Sequence, residues 1–159
     1  LYNVAQTRVW SANGSDFTKY NTGDAFEISR SFANYPTITY LSGGTPSASG
    51  KLVAPLHLPD GATITSIEAK ISDNDGITSF STRLDLVLVT AAGGGVLASC
   101  IALDDGGIQT ITTPTSISVD NTSASYALVF TANSDGGGFG NSACSLWYIR
   151  IKYEVTKAD

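Results

Sequence analysis

The chain has 159 residues, of which 42% are hydrophobic and only 14% are charged, and its net charge is −5. This length suits one domain with its own core, and the acidic balance argues against nucleic-acid binding, which needs clustered Lys and Arg. No run of 18 apolar residues occurs, so no membrane span is predicted. Because the chain begins at Leu1 and contains no Met, we expect a secreted or cell-surface protein whose signal peptide has been removed.

The first fifty residues have the least regular pattern. Short strands are predicted at Val4–Trp10, Phe26–Phe32 and Thr37–Leu41, and the composition of Gly43–Gly50 is that of a surface loop. Val4, Val9 and Trp10 are the apolar anchors of the first strand. Residues 1–50 are therefore interpreted as a less regular segment whose first strand either pairs inside its own sandwich or is donated to a neighbouring copy.

From Lys51 onward the strands follow at regular spacing. Ile67, Ala69 and Ile71 alternate with Glu68 and Lys70, and this period of two predicts one buried and one solvated face. The predicted strands are Lys51–Leu58, Thr63–Ser72, Thr82–Thr90, Val96–Leu103, Ile108–Thr112, Ser116–Val119, Ala124–Thr131 and Leu146–Val155. Such strands, separated by Gly- and Asp-rich turns, predict an all-β fold. We expect residues 1–159 to form a single antiparallel β-sandwich of the jelly-roll type, with 51–156 as its core.

Several segments of this core carry motifs that follow one another along the chain. An AP-x-x-LP-x-GA-x-IT hairpin is followed by a strand that ends in Asp, a VDN-x-x-x-x-Y-x-L strand and a closing I-x-Y. The matching residues are Ala54, Pro55, Leu58, Pro59, Gly61, Ala62, Ile64, Thr65, Asp73, Asp120, Asn121, Tyr126, Leu128, Ile151 and Tyr153. In this order the motifs resemble those of a recurrent and largely uncharacterised β-sandwich module of secreted bacterial proteins. The resemblance implies the fold and export, and it implies no catalytic residue set.

Cys100 and Cys144 lie in separate predicted strands, and in an exported domain we expect a disulfide between them. In the chain-entropy model, closing so long a loop stabilises the fold by about 4 kcal/mol. The alternative is two thiols, since both cysteines are out of phase with the core residues around them.

Residue types that carry chemistry are sparse. His57 is the only histidine, and no nucleophile motif such as G-x-S-x-G accompanies it, so no catalytic residue is predicted. Asp73 and Asp75 offer oxygens of the kind that Ca²⁺ binds, and Asp104-Asp105 is a second acidic cluster. The EF-hand spacing is absent, so an ordinary Asx-Gly turn is the alternative at both places. No other cofactor is expected.

Aromatic residues leave two functions open. Trp147 is in phase with Ile149 and Ile151 and is assigned to the core, whereas Tyr148 and Trp10 are available for stacking on a sugar. A surface low in charge and rich in Ser, Thr and Gly predicts a non-catalytic structural subunit that self-assembles into an extracellular filament, sheath or surface layer. Its partners are then copies of the same chain. The alternative is a carbohydrate-binding module or adhesin domain, whose partner is a polysaccharide.

Overall fold

A computed structural model describes residues 4–20, 26–31, 35–40, 50–73, 82–102, 107–132 and 144–157. These ranges contain eleven strands: β1 (Val4–Asn13), β2 (Thr18–Lys19), β3 (Phe26–Ser31), β4 (Tyr35–Tyr40), β5 (Gly50–Leu56), β6 (Thr63–Asp73), β7 (Arg83–Thr90), β8 (Gly93–Ile101), β9 (Gly107–Ser118), β10 (Ser125–Ala132) and β11 (Cys144–Lys157). A 3-10 helix, Gly14–Asp16, follows β1. Within the same ranges, no helix has the length and apolar character needed to cross a membrane.

The strands form two antiparallel sheets. The first sheet has the order β3-β4-β11-β6-β9, with β1 also paired to β11, and the second has the order β2-β5-β10-β7-β8. The eight strands β4 to β11 thus divide into β4-β11-β6-β9 and β5-β10-β7-β8, with the chain crossing between sheets at almost every connection. This strand order is that of a jelly roll, so the predicted antiparallel sandwich is confirmed.

The core lies between the inner faces of the two sheets. Its largest fully buried side chains are Phe17, Phe130, Leu52, Ile64, Ile67, Ile71, Leu84, Leu86, Leu128 and Leu146. Phe17 comes directly after the 3-10 helix, so the N-terminal segment also contributes to this core. The helix is held by a short polar contact, in which the backbone N–H of Asn13 donates to Asp16 Oδ2 at 2.9 Å.

A β-bulge in β11 reverses which of its residues face inward. Leu146 and Tyr148 pair with consecutive residues of β6, so Trp147 between them is an extra residue. Leu146 is buried before the bulge, and Ile149 and Ile151 are buried after it. The prediction that Trp147 belongs to the core is therefore wrong, because the alternation on which it rested changes phase at Trp147 itself.

The predicted disulfide is also wrong, since Cys100 and Cys144 are both buried as thiols. Cys100 lies on β8 of the second sheet, and its Sγ is 3.5 Å from the carbonyl oxygen of Ile67. Cys144 begins β11 of the first sheet and accepts a hydrogen bond from Thr82 Oγ1 at 3.4 Å. The two thiols thus face different neighbours on opposite sheets. Burial raises the pKa of Cys100, which keeps that thiol protonated at neutral pH.

Candidate functional site

Two loops at one end of the sandwich are bonded to each other through their backbones. They are residues 57–62, between β5 and β6, and residues 119–124, between β9 and β10. The N–H of Gly61 donates to the carbonyl of Val119 at 2.9 Å, and the N–H of Val119 donates to the carbonyl of Ala62 at 2.8 Å. Gly61 has a φ of +72°, a left-handed conformation that favours glycine at this turn.

Side chains of the motif residues reinforce this connection. The side-chain amide of Asn121 donates to the carbonyl of Leu58 at 2.9 Å, and its backbone N–H donates to Asp60 Oδ1 at 2.8 Å. The hydroxyl of Tyr126 accepts from the N–H of Asp120 at 2.9 Å and donates to the carbonyl of Ser118 at 3.3 Å. Residues of the hairpin and VDN motifs are therefore in contact in the folded chain, and their hydrogen bonds hold the two loops together.

Asp120 organises the second loop. Its carboxylate accepts hydrogen bonds from the hydroxyls of Ser123 and Thr122 and from the backbone N–H of Thr122. These bonds, led by that of Ser123, lower the pKa of Asp120 to about 2, because they favour the charged form. The carboxylate is thus occupied by its own loop.

A pocket of about 390 Å³ opens beside these loops. It is lined by Pro55, Leu56, His57, Leu58, Asn121, Ala124, Ser125 and Tyr126, and we call it the end pocket. His57 is exposed at its edge. Among the residues that the structure describes, none that lines the pocket is a carboxylate that could orient His57 as a catalytic base.

The outer face of the first sheet carries a second cluster, which we call the aromatic patch. It consists of Glu68 and Lys70 from β6 together with Trp147, Tyr148 and Arg150 from β11. Lys70 Nζ lies 4.3 Å from the centre of the Trp147 ring, and Arg150 Cζ lies 4.7 Å from the centre of the Tyr148 ring. Arg150 Nη1 is also 3.5 Å from Glu68 Oε1. Aromatic faces and cations thus alternate across two neighbouring strands.

Register and the β-bulge together assemble this patch. Strand pairing places Arg150 opposite Glu68 and Tyr148 opposite Lys70. Consecutive residues of a regular strand point to opposite faces, but the extra residue at the bulge lets Trp147 contact the outward-facing Lys70 beside Tyr148. The indole N–H of Trp147 donates to Ser145 Oγ at 3.0 Å, which fixes the orientation of the ring.

The charges of the patch are at least partly exposed to solvent. The side chain of Arg150 is 55% exposed and that of Glu68 is 23% exposed. An ion pair in such a setting contributes about 0–1 kcal/mol, and a cation over an exposed ring contributes about as much. These cations can therefore leave their present partners for a ligand at little cost.

Other predicted residues have different positions. Trp10 is partly buried against the core and is not an exposed stacking ring. Asp73 ends β6, but its side chain lies outside the described part of the structure, as do Asp75 and Asp104-Asp105. Across the described residues, no three His, Cys, Asp or Glu side chains are grouped so as to hold a metal ion.

The predicted assembly residues lie in β1, which pairs with β11 of its own chain. Val4 and Val9 remain exposed there, by 58% and 54%. Lys70, Glu68 and Arg150 were not predicted as site residues. The alternation of each strand indicates that they face solvent, but only the pairing of β6 with β11 brings them together.

No family model matches the sequence, and no curated protein matches it. Solved structures with a similar fold include the C-terminal family 6 carbohydrate-binding module of a marine laminarinase from Zobellia galactanivorans, with a TM-score of 0.56 and 14% identity over 94% of this chain and 100% of that one. A family 36 module in complex with calcium and xylotriose has a TM-score of 0.54 and 11% identity over 89% and 98% of the two chains. The xylan-binding domain of a Paenibacillus barcinonensis protein has a TM-score of 0.50 and 11% identity over 99% and 100%. At these identities the likeness shows the β-sandwich fold.

Proposed function

We propose that this chain is a non-catalytic carbohydrate-binding module that holds a polysaccharide on the aromatic patch. The observation that carries the proposal is the pair of adjacent, partly exposed rings of Trp147 and Tyr148, with Lys70 and Arg150 over them on the outer face of the first sheet. The apolar face of a sugar stacks on a flat ring, and cationic side chains donate hydrogen bonds to its hydroxyls. A sheet face also offers the extended surface that a polymer needs.

The comparisons favour this function over the self-assembling filament subunit that the sequence also predicts. The three similar structures named above are carbohydrate-binding modules or polysaccharide-binding domains. One of them is in complex with xylotriose, and another is a xylan-binding domain. This support is an analogy at the level of the fold. It agrees with the expected extracellular location, where structural polysaccharides are found.

The chemistry of the patch supports binding rather than cleavage. Glycosidases commonly use two carboxylates that flank the scissile bond. Among the described residues of the patch, Glu68 is the one carboxylate, and it is paired with Arg150. A structural Ca²⁺ ion at Asp73 and Asp75 remains a prediction, and binding at the patch does not depend on it.

The proposal is tested by affinity electrophoresis and by retention on insoluble polymers. The panel contains xylan, a β-1,3-glucan and cellulose as neutral chains, with pectin and alginate as uronate chains that Lys70 and Arg150 would favour. Tyr148→Ala and Trp147→Ala are expected to weaken binding about tenfold or more, since each removes a stacking ring. Tyr148→Phe keeps the ring and should retain most of the affinity.

Tyr20→Ala is the matched control. Tyr20 is 58% exposed and directly follows β2 of the second sheet, whereas the patch lies on the first sheet. We expect this variant to bind like the wild type. Failure of the wild-type protein to bind any polymer of the panel would contradict the proposal, and so would an equal loss of binding in Tyr20→Ala.

A further inference from the structure

Strand β1 has one long edge without a partner among the described strands. It forms ten consecutive antiparallel pairs with β11, from Val4 opposite Lys157 to Asn13 opposite Tyr148. No other described strand pairs with β1. Backbone N–H and C=O groups therefore face away from the sheet along the second edge of this strand, where only another β-strand can satisfy them in regular order.

Other strands at sheet edges carry the protection that β1 lacks. Natural edges are shortened, bulged or interrupted by Pro and charged residues. β2 has two residues, and β3 has six, of which Glu27 and Arg30 are charged. β8 is bulged against β7, and β9 contains Pro114. β9 is also tied to β8, because Thr113 Oγ1 donates to the carbonyl of Ser99 at 2.8 Å. β1 has ten residues, no Pro, no interruption of its register and one charged side chain, Arg8.

Apolar side chains flank this open edge. Residues 4–9 are all exposed, with Val4 at 58% and Val9 at 54%. Because their positions differ by an odd number, these two valines lie on opposite faces of the strand. An incoming strand would therefore cover apolar surface on both faces while it pairs with the backbone.

We propose that this edge is the contact between two copies of the chain. Two β1 strands pair antiparallel about a two-fold axis, so that two first sheets become one continuous sheet. A second copy fits because it brings the same open edge, and an isologous arrangement satisfies both edges at once. The like charges of the two Arg8 side chains disfavour this dimer. Because both side chains are exposed, salt screens their repulsion.

This geometry has a consequence for binding that rests on the proposed function. The two-fold axis of an antiparallel pair is perpendicular to its sheet, so both aromatic patches lie on the same face of the dimer. Two patches on one polymer bind with a higher combined affinity than either patch alone.

Sedimentation velocity over a range of protein concentrations tests the contact without any polysaccharide. The wild type is expected to approach twice the 16.5 kDa chain mass as concentration rises. Val4→Lys combined with Val9→Lys should raise the dissociation constant of the dimer about tenfold or more, since apolar contacts are lost and like charges face each other. Ile108→Lys is the matched control, because Ile108 is 53% exposed but lies on β9.

Two results would overturn the inference: a wild-type protein that stays monomeric at all concentrations, or an equal effect of Ile108→Lys. Strand exchange is distinguished by the double variant Thr7→Cys and Glu154→Cys, whose positions are opposite each other in β1 and β11, with the 7–154 disulfide identified by peptide mass. Edge pairing predicts a 7–154 disulfide within one chain. A 7–154 disulfide between chains would mean that β1 is exchanged, and would refute the edge contact.

Discussion

Removal of the hydroxyl of Tyr126 tests whether the bonded loops 57–62 and 119–124 stabilise the sandwich as the structure indicates. In Tyr126→Phe the ring, which is 7% exposed, stays in place, while the bonds to the Asp120 N–H and the Ser118 carbonyl are lost. Each such bond contributes about 0.5–1.5 kcal/mol net, so the free energy of unfolding should fall by about 2 kcal/mol. For a chain of this size the midpoint of thermal unfolding should then fall by about 5 °C.

Urea denaturation followed by fluorescence gives the free energy directly. We expect the midpoint of Tyr126→Phe to fall by about 1 M with an unchanged slope, because the surface exposed on unfolding is the same. Tyr20→Phe serves as the control, since Tyr20 is 58% exposed. If the two variants had equal midpoints, the hydroxyl of Tyr126 would not be stabilising the loops, and the structural role of the motifs would be refuted.

Further predictions concern charge and redox state. The pKa of Asp120 in the folded protein is about 2, below its ordinary value of 3.8. The ionised carboxylate therefore stabilises the folded state above pH 3.8, and this stabilisation is lost as the pH falls toward 2. Carboxyl NMR titration should show this low pKa, and Asp120→Asn should reduce the acid dependence of stability between those values. Both cysteines should react with a thiol reagent only after the protein is unfolded, and mass spectrometry should then show two added groups. If the unfolded, unreduced protein did not react, the two cysteines would be joined in a disulfide. Arg150→Ala should weaken retention on pectin more than on cellulose if Arg150 contacts uronate groups, and equal losses would exclude that contact.

The sequence predicts the fold where side-chain alternation is uninterrupted. In β6, the period of two correctly separates the buried Ile67 and Ile71 from the outward Glu68 and Lys70. An antiparallel β-sandwich follows from many short strands with polar turns, because few arrangements bury one face of each strand. The fold class can be predicted in this way without knowing which strands are neighbours.

The aromatic patch could not be predicted from the sequence, because it depends on which strands are neighbours in the sheet. A bulge depends on how two strands fit together, and nothing local at Trp147 indicates that the alternation changes phase there. The pairing of β6 with β11, which brings Lys70 and Arg150 to the same rings, joins segments about eighty residues apart. The disulfide prediction failed for the same reason, since the strand positions of Cys100 and Cys144 do not specify the neighbours of each thiol.

The most direct test of the central claim is to locate the bound sugar on the protein. NMR titration with an oligosaccharide of a retained polymer reports on both indole N–H groups, since the chain has two tryptophans. We expect large shifts for Trp147 and for the backbone of Glu68, Lys70 and Arg150, with little change at Trp10. Shifts confined to the end pocket, around His57, would contradict the claim that the aromatic patch is the binding site.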